Sequence, residues 1–386
     1  MSEDKPVTEV SRADVTLANW RTVPYSRWSF EHVSEIVPSA IIPGTRCAEG
    51  TARIGLEALS RISFAGTRDA TSSLRDFLKE SETDELVVMK DGRVIADWSA
   101  PHSDPSDPHI IFSVSKSLTG LLAGILADKG IVSFESPISR HVPEVAGSAY
   151  GDATVQQLFD MEICVDFLES YLDTSGSFER YRRSTGWNPE KPGDPAPDLK
   201  RFICGIGKGA GVHGERHAYR SPNSDLAGIV LERAAGARFA ALLSDHLWKA
   251  AGAKSDAMVT VDRIGTARAA GGISATARDL ALVGDLVRRR GNGIVSADFI
   301  DDLWSRRRRE AWKKGDQLDL FPDGSYRNYW YETGSGELAA IGIHGQWIWI
   351  HPQSETVVVK LSSQRMPVDP ALDQAIIRMM RAICRL

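Results

Sequence analysis

The chain has 386 residues, 42% hydrophobic and 25% charged, with 33 Gly and 18 Pro; this is globular composition and excludes a fibrous, collagen-like or wholly disordered protein. A net charge of −5 and an isoelectric point near 6.0 exclude a global basic field for nucleic acid or anionic lipid. No apolar run approaches the ~18 residues of a membrane span, and the length exceeds the roughly 250–300 residues at which one core stops growing, so two lobes around a cleft are expected.

The start, Met1-Ser2-Glu3-Asp4-Lys5-Pro6, is polar and acidic with no apolar stretch behind it, so no secretory signal is expected. Cys47, Cys164, Cys204 and Cys384 lie far apart, without zinc or redox spacing. They are expected to be free, mostly buried thiols in a reducing compartment, the cytoplasm. Residues 1–50 form a poorly periodic arm with Trp20, Trp28 and Phe30, expected to wrap a core built later; the arm is taken to extend over 1–66. Residues 67–80 read as the first helix. Glu85–Lys90, the turn Asp91-Gly92 and Arg93–Trp98 read as a hairpin, because Asp-Gly between two β-rich runs favours the tight turn. From Ser113 to Asp128 the period changes: Leu118, Leu121, Leu122, Ile125 and Leu126 make a helical stripe that stops at Gly130.

Further on, Thr154–Asp160, Ser224–Ala235 and Arg238–Ala251 read as helices, with Gly236 between the last two. Residues 186–218 are loop-rich, and long loops inside compact domains are usually functional. Residues 272–290 read as an amphipathic helix after a turn. Gln346–His351 and Thr356–Leu361 read as a second hairpin, and Pro370–Ile383 as a final helix. The simplest architecture is α+β: an antiparallel sheet from both ends of the chain, flanked by helices, with an inserted helical lobe. The expected division is a sheet domain of residues 1–140 and 255–386, and a mainly helical domain of residues 141–254 whose loop 165–218 covers the substrate.

Several familiar patterns fail. Gly209-Ala-Gly211-Val-His-Gly214 matches the dinucleotide pattern, but lacks a strand-to-helix context. His213 and His217 have i, i+4 spacing in a Gly-rich segment ill suited to helix, and no metal is expected. No G-x-S-x-G nucleophile elbow occurs. The informative motif is Phe112-Ser113-Val114-Ser115-Lys116-Ser117. Ser113 and Lys116 are i, i+3 at a helix start and share a face. A serine hydroxyl needs a base to become a nucleophile, and a lysine can serve if burial and positive potential lower its pKa. An ordinary polar helix start is the alternative reading of the same residues.

Ser113-Val-Ser-Lys-Ser-Leu-Thr-Gly120 resembles the active-site helix of the serine-reactive penicillin-recognising enzymes: class C β-lactamases, D-alanyl-D-alanine carboxypeptidases, related esterases and 6-aminohexanoate-dimer hydrolases. Gly130–Pro137, His141–Glu144 and Ser274–Leu280 are similar to the segments that follow in that family. Phe321–Tyr326, Ile341–Gln346 and Val359–Ser363 look most like the nylon-oligomer hydrolases. The resemblance implies the β-lactamase-like fold and a Ser-Lys-Tyr amidase or esterase without cofactor or metal. It implies catalytic roles for Ser113, Lys116 and Tyr219, and an oxyanion hole from the N–H groups of Ser113 and Ile343. The lactamase Tyr-x-Asn becomes Tyr219-x-Ser221 here. The Lys-Thr-Gly strand becomes Ala340-Ile341-Gly342-Ile343, with no cation, so penicillins should be poor substrates. Tyr171, Trp187, His344 and Ala270 are placed against the substrate, while Arg182 falls near the acid that binds a substrate ammonium in some nylon hydrolases. The partner implied is a small-molecule amide or ester, with no nucleic acid and no membrane, and a homodimer is left open. The alternatives are a carboxylesterase, a D-amino-acid peptidase or weak β-lactamase on the same fold, and a non-catalytic binding module.

Overall fold

The computed structural model describes residues 10–46, 53–67, 71–305 and 307–386. The opening segment Met1–Pro6 and Cys47 lie outside the described residues. A seven-stranded sheet runs in the order Arg93–Ser99, Thr83–Lys90, Thr356–Ser362, Gln346–His351, Leu338–Gly342, Trp330–Glu332, Ser325–Arg327. Every pairing in it is antiparallel, and the N-terminal hairpin joins the C-terminal one through register pairs such as Val88↔Val358. The central strands are buried except at their ends, Lys90 and His351. Helix Ala277–Arg288 packs across three of them.

The chain also builds a second sheet, of Ser39–Ile42, Ala257–Thr260, Ile273–Ala275 and His109–Ile110. This departs from the single sheet expected. Its strands are two to four residues long, too short for alternation to register as a pattern. The expected helix over 272–290 therefore begins as a strand. Thr276 then caps it, accepting from Asp279 N–H at 3.3 Å. Likewise the helix expected over 67–80 spans only Leu74–Glu80, because Thr71–Ser73 pairs with Ser63–Ala65 and Ser73 caps the helix.

Between the two parts of the sheet lie Val155–Phe159, Ser177–Ser184, Leu199–Cys204, Ser221–Ala235 and Phe239–Leu243. The helix expected from Ser224 starts at Ser221, with Pro222 in its first turn, where a missing N–H costs nothing. The helix expected over Arg238–Ala251 is α-helical only to Leu243 and continues as a π-turn, Ser244–Trp248. Helix Val114–Asp128 is buried from Val114 to Leu126. Gly120 admits the Asn328 carbonyl, which a Cβ there would meet at 2.2 Å.

One apolar core runs through sheet and helices. A second, smaller one joins the arm (Val15, Trp20, Phe30, Val33, Val37) to Ile110, Phe112 and Trp187. Trp20 and Phe30 are wholly buried, whereas Trp28 is half-buried and stacks on His32. Of the three described cysteines, all free, only Cys384 is buried; Cys164 and Cys204 are half-buried, less than the sequence suggested.

Candidate active site

The strand His109–Ile110 turns sharply into helix Val114–Asp128, and Ser113 is the N-cap between them. Its side chain caps nothing, so its hydroxyl is available. One turn on, Lys116 is 1% exposed. Its Nζ lies 2.9 Å from Ser113 Oγ, 3.2 Å from Ser221 Oγ and 2.7 Å from the Ala270 carbonyl. Burial lowers the Lys116 pKa to about 7, with Arg268 lowering it further and Glu169 and Asp225 pulling it back up.

The hydrogen positions around Lys116 follow from its partners. The Ala270 carbonyl can only accept. Ser221 Oγ donates its hydrogen to Glu169 Oε1 at 2.7 Å, so toward Lys116 it accepts. A neutral amine has two N–H groups, and both are taken. Its lone pair is left facing Ser113 Oγ, the orientation a base needs.

Tyr219 stands just before helix Ser221–Ala235, its N–H held by Asp316 Oδ1 at 3.1 Å. Lys116 Nζ lies 4.9 Å from the centre of its ring. Burial, with Glu169, raises the phenol's pKa; the hydroxyls of Ser113 and Tyr331 oppose that. Gly342 ends strand Leu338–Gly342, and a Cβ there would stand 2.6 Å from Ile111 O and 3.0 Å from Ser113 N. Only glycine lets the strand come this close. Ile343 thereby lines the same cavity as Ser113.

That cavity is about 20 Å³, room for little more than a water, so a substrate must displace part of its wall. Tyr171 and Trp187 belong to that wall. Tyr171 donates its hydroxyl to Glu169 Oε1 at 2.8 Å, and Trp187 Nε1 donates to Thr260 Oγ1 at 3.1 Å. Ala270 lines the cavity too, its carbonyl on Lys116 and its N–H on Asp225 Oδ1 at 2.8 Å. His344 stands outside the Ser113 cavity. Its Nδ1 is 2.7 Å from the Gln364 carbonyl, its ring packs on Phe30 and Phe112, and burial lowers its pKa to about 4.

Three residues here went unassigned in the sequence: Glu169, which ties Ser221 to Tyr171; Arg268, which meets Asp225 and the Tyr181 hydroxyl; and Arg21 from the arm. The faint signal for Glu169 was its place two residues before Tyr171. Among the described residues no group of three or more His, Cys, Asp or Glu is placed to hold a metal, and no helix is long and apolar enough to cross a membrane.

The beta-lactamase sequence profile matches residues 75–378. The chain belongs to the beta-lactamase family. It is an enzyme, a serine hydrolase. It is 36% identical over 354 residues to a 6-aminohexanoate-dimer hydrolase of Paenarthrobacter ureafaciens, covering 90% of this chain and 88% of that one. A candidate 6-aminohexanoate-dimer hydrolase from Bacillus anthracis superposes with a TM-score of 0.88 at 21% identity, over 97% of both chains. EstCE1, a hydrolase with promiscuous acyltransferase activity, superposes at 0.61 with 14% identity, over 80% of this chain and 96% of that one. The last two show the shared fold.

Proposed function

We propose that this hydrolase cleaves amide or ester bonds of small linear substrates through an acyl-enzyme on Ser113. Ser113 Oγ attacks the carbonyl while its proton passes to Lys116 Nζ. The N–H groups of Ser113 and Ile343 hold the oxyanion, each such donor typically worth about 3 kcal/mol. Tyr219 gives a proton to the leaving group and recovers one from Lys116. Water, deprotonated by the same pair, then splits the ester and frees Ser113. The observation that carries this reading is the set of contacts to Lys116, which leaves a near-neutral amine with its lone pair on Ser113 Oγ.

The site is read as a cleft between a sheet unit, residues 1–140 and 255–386, and a helical unit, residues 141–254. The three described cysteines are free and scattered, which favours the cytoplasm. The name of the Paenarthrobacter relative makes the linear 6-aminohexanoate dimer the first amide to test. Arg182 on the cavity wall argues that its ammonium end binds poorly. Replacing Ser113 by alanine is expected to cut p-nitrophenyl butyrate hydrolysis at least about a thousandfold while circular dichroism stays unchanged. Unaltered turnover in that variant would refute the mechanism.

A further inference from the structure

Two arginines on the wall of the Ser113 cavity have no carboxylate within 4.0 Å among the described residues: Arg21 of the arm and Arg182 of helix Ser177–Ser184. The other guanidinium there differs, since Arg268 is paired with Asp225. Arg21 donates only to neutral acceptors, the Trp187 carbonyl at 3.1 Å and Asn188 Oδ1, and lies over the rings of Trp20 and Trp187. Arg182 donates to the Tyr171 carbonyl at 2.8 Å and lies 4.4 Å from the centre of the Phe178 ring.

Glu169 lines the same cavity, and Glu169 and Asp173 both act on Arg182 through charge, but their oxygens are taken up by other donors. Glu169 accepts from Ser221 and Tyr171, and Asp173 accepts from the N–H groups of Ser175 and Gly176. Each guanidinium has five N–H donors and spends one or two on the protein. Two half-buried cations facing one cavity repel each other, and this shows in Arg21, whose pKa falls through burial and through the charges of Arg182 and Arg268. Arg21, Arg182 and Tyr171 also border a second cavity of about 740 Å³, large enough for the remote end of a linear substrate; of the acids on its wall, Glu179 and Glu190 are paired with Arg183, and Asp173 is bound to backbone N–H groups.

We propose that Arg21 and Arg182 bind a carboxylate of the substrate, so that the enzyme selects small linear amides or esters carrying a free carboxylate remote from the bond cleaved. The planar fork of arginine matches a carboxylate, and the anion would relieve the repulsion between the two cations. The inference rests on the reading of Ser113 as nucleophile for where the scissile bond lies.

The test compares kcat/KM for paired esters in low salt. Mono-p-nitrophenyl glutarate against p-nitrophenyl butyrate puts the carboxylate on the acyl side. 4-(Carboxymethyl)phenyl butyrate against 4-methylphenyl butyrate puts it on the leaving side. One anionic ester should be preferred over its neutral counterpart by about tenfold or more, a typical return for a charge-assisted contact. Arg182→Gln and Arg21→Gln should each shrink that ratio, and Arg182→Lys should restore part of it. Damage to the fold lowers both members of a pair alike and leaves the ratio standing. No preference for either anion, or a preference that survives both glutamine variants, overturns the proposal. If no ester is turned over at all, the nucleophile reading fails separately, and glutarate binding by calorimetry decides. Binding lost in Arg182→Gln then supports the anion site, and no binding at millimolar glutarate overturns it.

Discussion

Glu169→Gln is expected to move the acidic limb of the pH–rate profile downward. Only neutral Lys116 can take the Ser113 proton, so kcat/KM should rise with pH through about 7 and level off above it. Glu169 favours the charged form of Lys116. Links of 3.2 Å and 2.7 Å through Ser221 Oγ put the amine within about 6 Å of the carboxylate. At that separation a unit charge pair is worth about 3 kcal/mol at an effective dielectric near 20, equivalent to about two pH units. Glu169 is only half-buried, and water screens part of this, so a shift of about one to two units is expected. Glutamine keeps one oxygen to accept from the Ser221 and Tyr171 hydroxyls, so the lone pair stays aimed, while its NH2 cannot accept from the Ser221 N–H and that contact is lost. The assay is kcat/KM for p-nitrophenyl butyrate from pH 5 to 9, with the plateau and the limb fitted separately. Misplacement of the side chains would lower the plateau without moving the limb. A limb that stays put or moves upward would refute the coupling of Glu169 to Lys116.

Gly342→Ala should press a methyl group against Ile111 O and Ser113 N, forcing the strand back from the nucleophile. A loss of about 100-fold or more in kcat is expected, together with about 1–3 kcal/mol of stability, read by steady-state kinetics and thermal melting. Tyr219→Phe should discriminate between leaving groups. An amine leaves only when protonated, whereas p-nitrophenolate needs no proton. Amide hydrolysis should therefore fall by about 100-fold or more, well beyond the loss on the p-nitrophenyl ester; equal losses would argue against a proton path through this phenol.

The two hairpins, helix Val114–Asp128 and helix Pro370–Ile383 were legible because each carries a strong local period and a turn or cap signal. Pro370–Ile383 even has the bounds expected. Ser113 and Lys116 were legible because one helical turn joins them. Tyr219, Gly342 and Ile343 depended on family resemblance, since nothing local ties them to Ser113. Arg21 and Glu169 reach the site by tertiary folding alone, one from an aperiodic arm and one from an irregular loop. Arg268 could not be told in sequence from any other surface-type cation, because its burial depends on Asp225 and Tyr181 arriving from two other segments. The short-stranded sheet was hidden for a different reason: two to four residues hold no period to read.

The arm has a part in the chemistry as well as in the fold. Phe112, the residue before the nucleophile, has φ of +42°, a left-handed conformation that a bulky aromatic adopts only under constraint. The turn is what takes the chain from strand His109–Ile110 into the helix and sets Ser113 N–H opposite Gly342. Such a conformation costs about 1–3 kcal/mol. The Phe112 ring is buried and meets Trp20 in a stacked contact at 6.4 Å, Phe30 at 5.0 Å, Trp187 at 5.9 Å and His344 at 5.3 Å. Aromatic pairs contribute about 0.5–1.5 kcal/mol each beyond the area they bury, so two or three of these contacts offset the strain. Two of the four rings, Trp20 and Phe30, come from the arm, and Ile110 N–H is tied to the Phe30 carbonyl at 2.7 Å. The arm therefore holds the backbone that presents Ser113, and through Arg21 it also supplies charge to the same cavity. A segment without sequence periodicity is in this way coupled to both the nucleophile's geometry and the wall that meets the substrate.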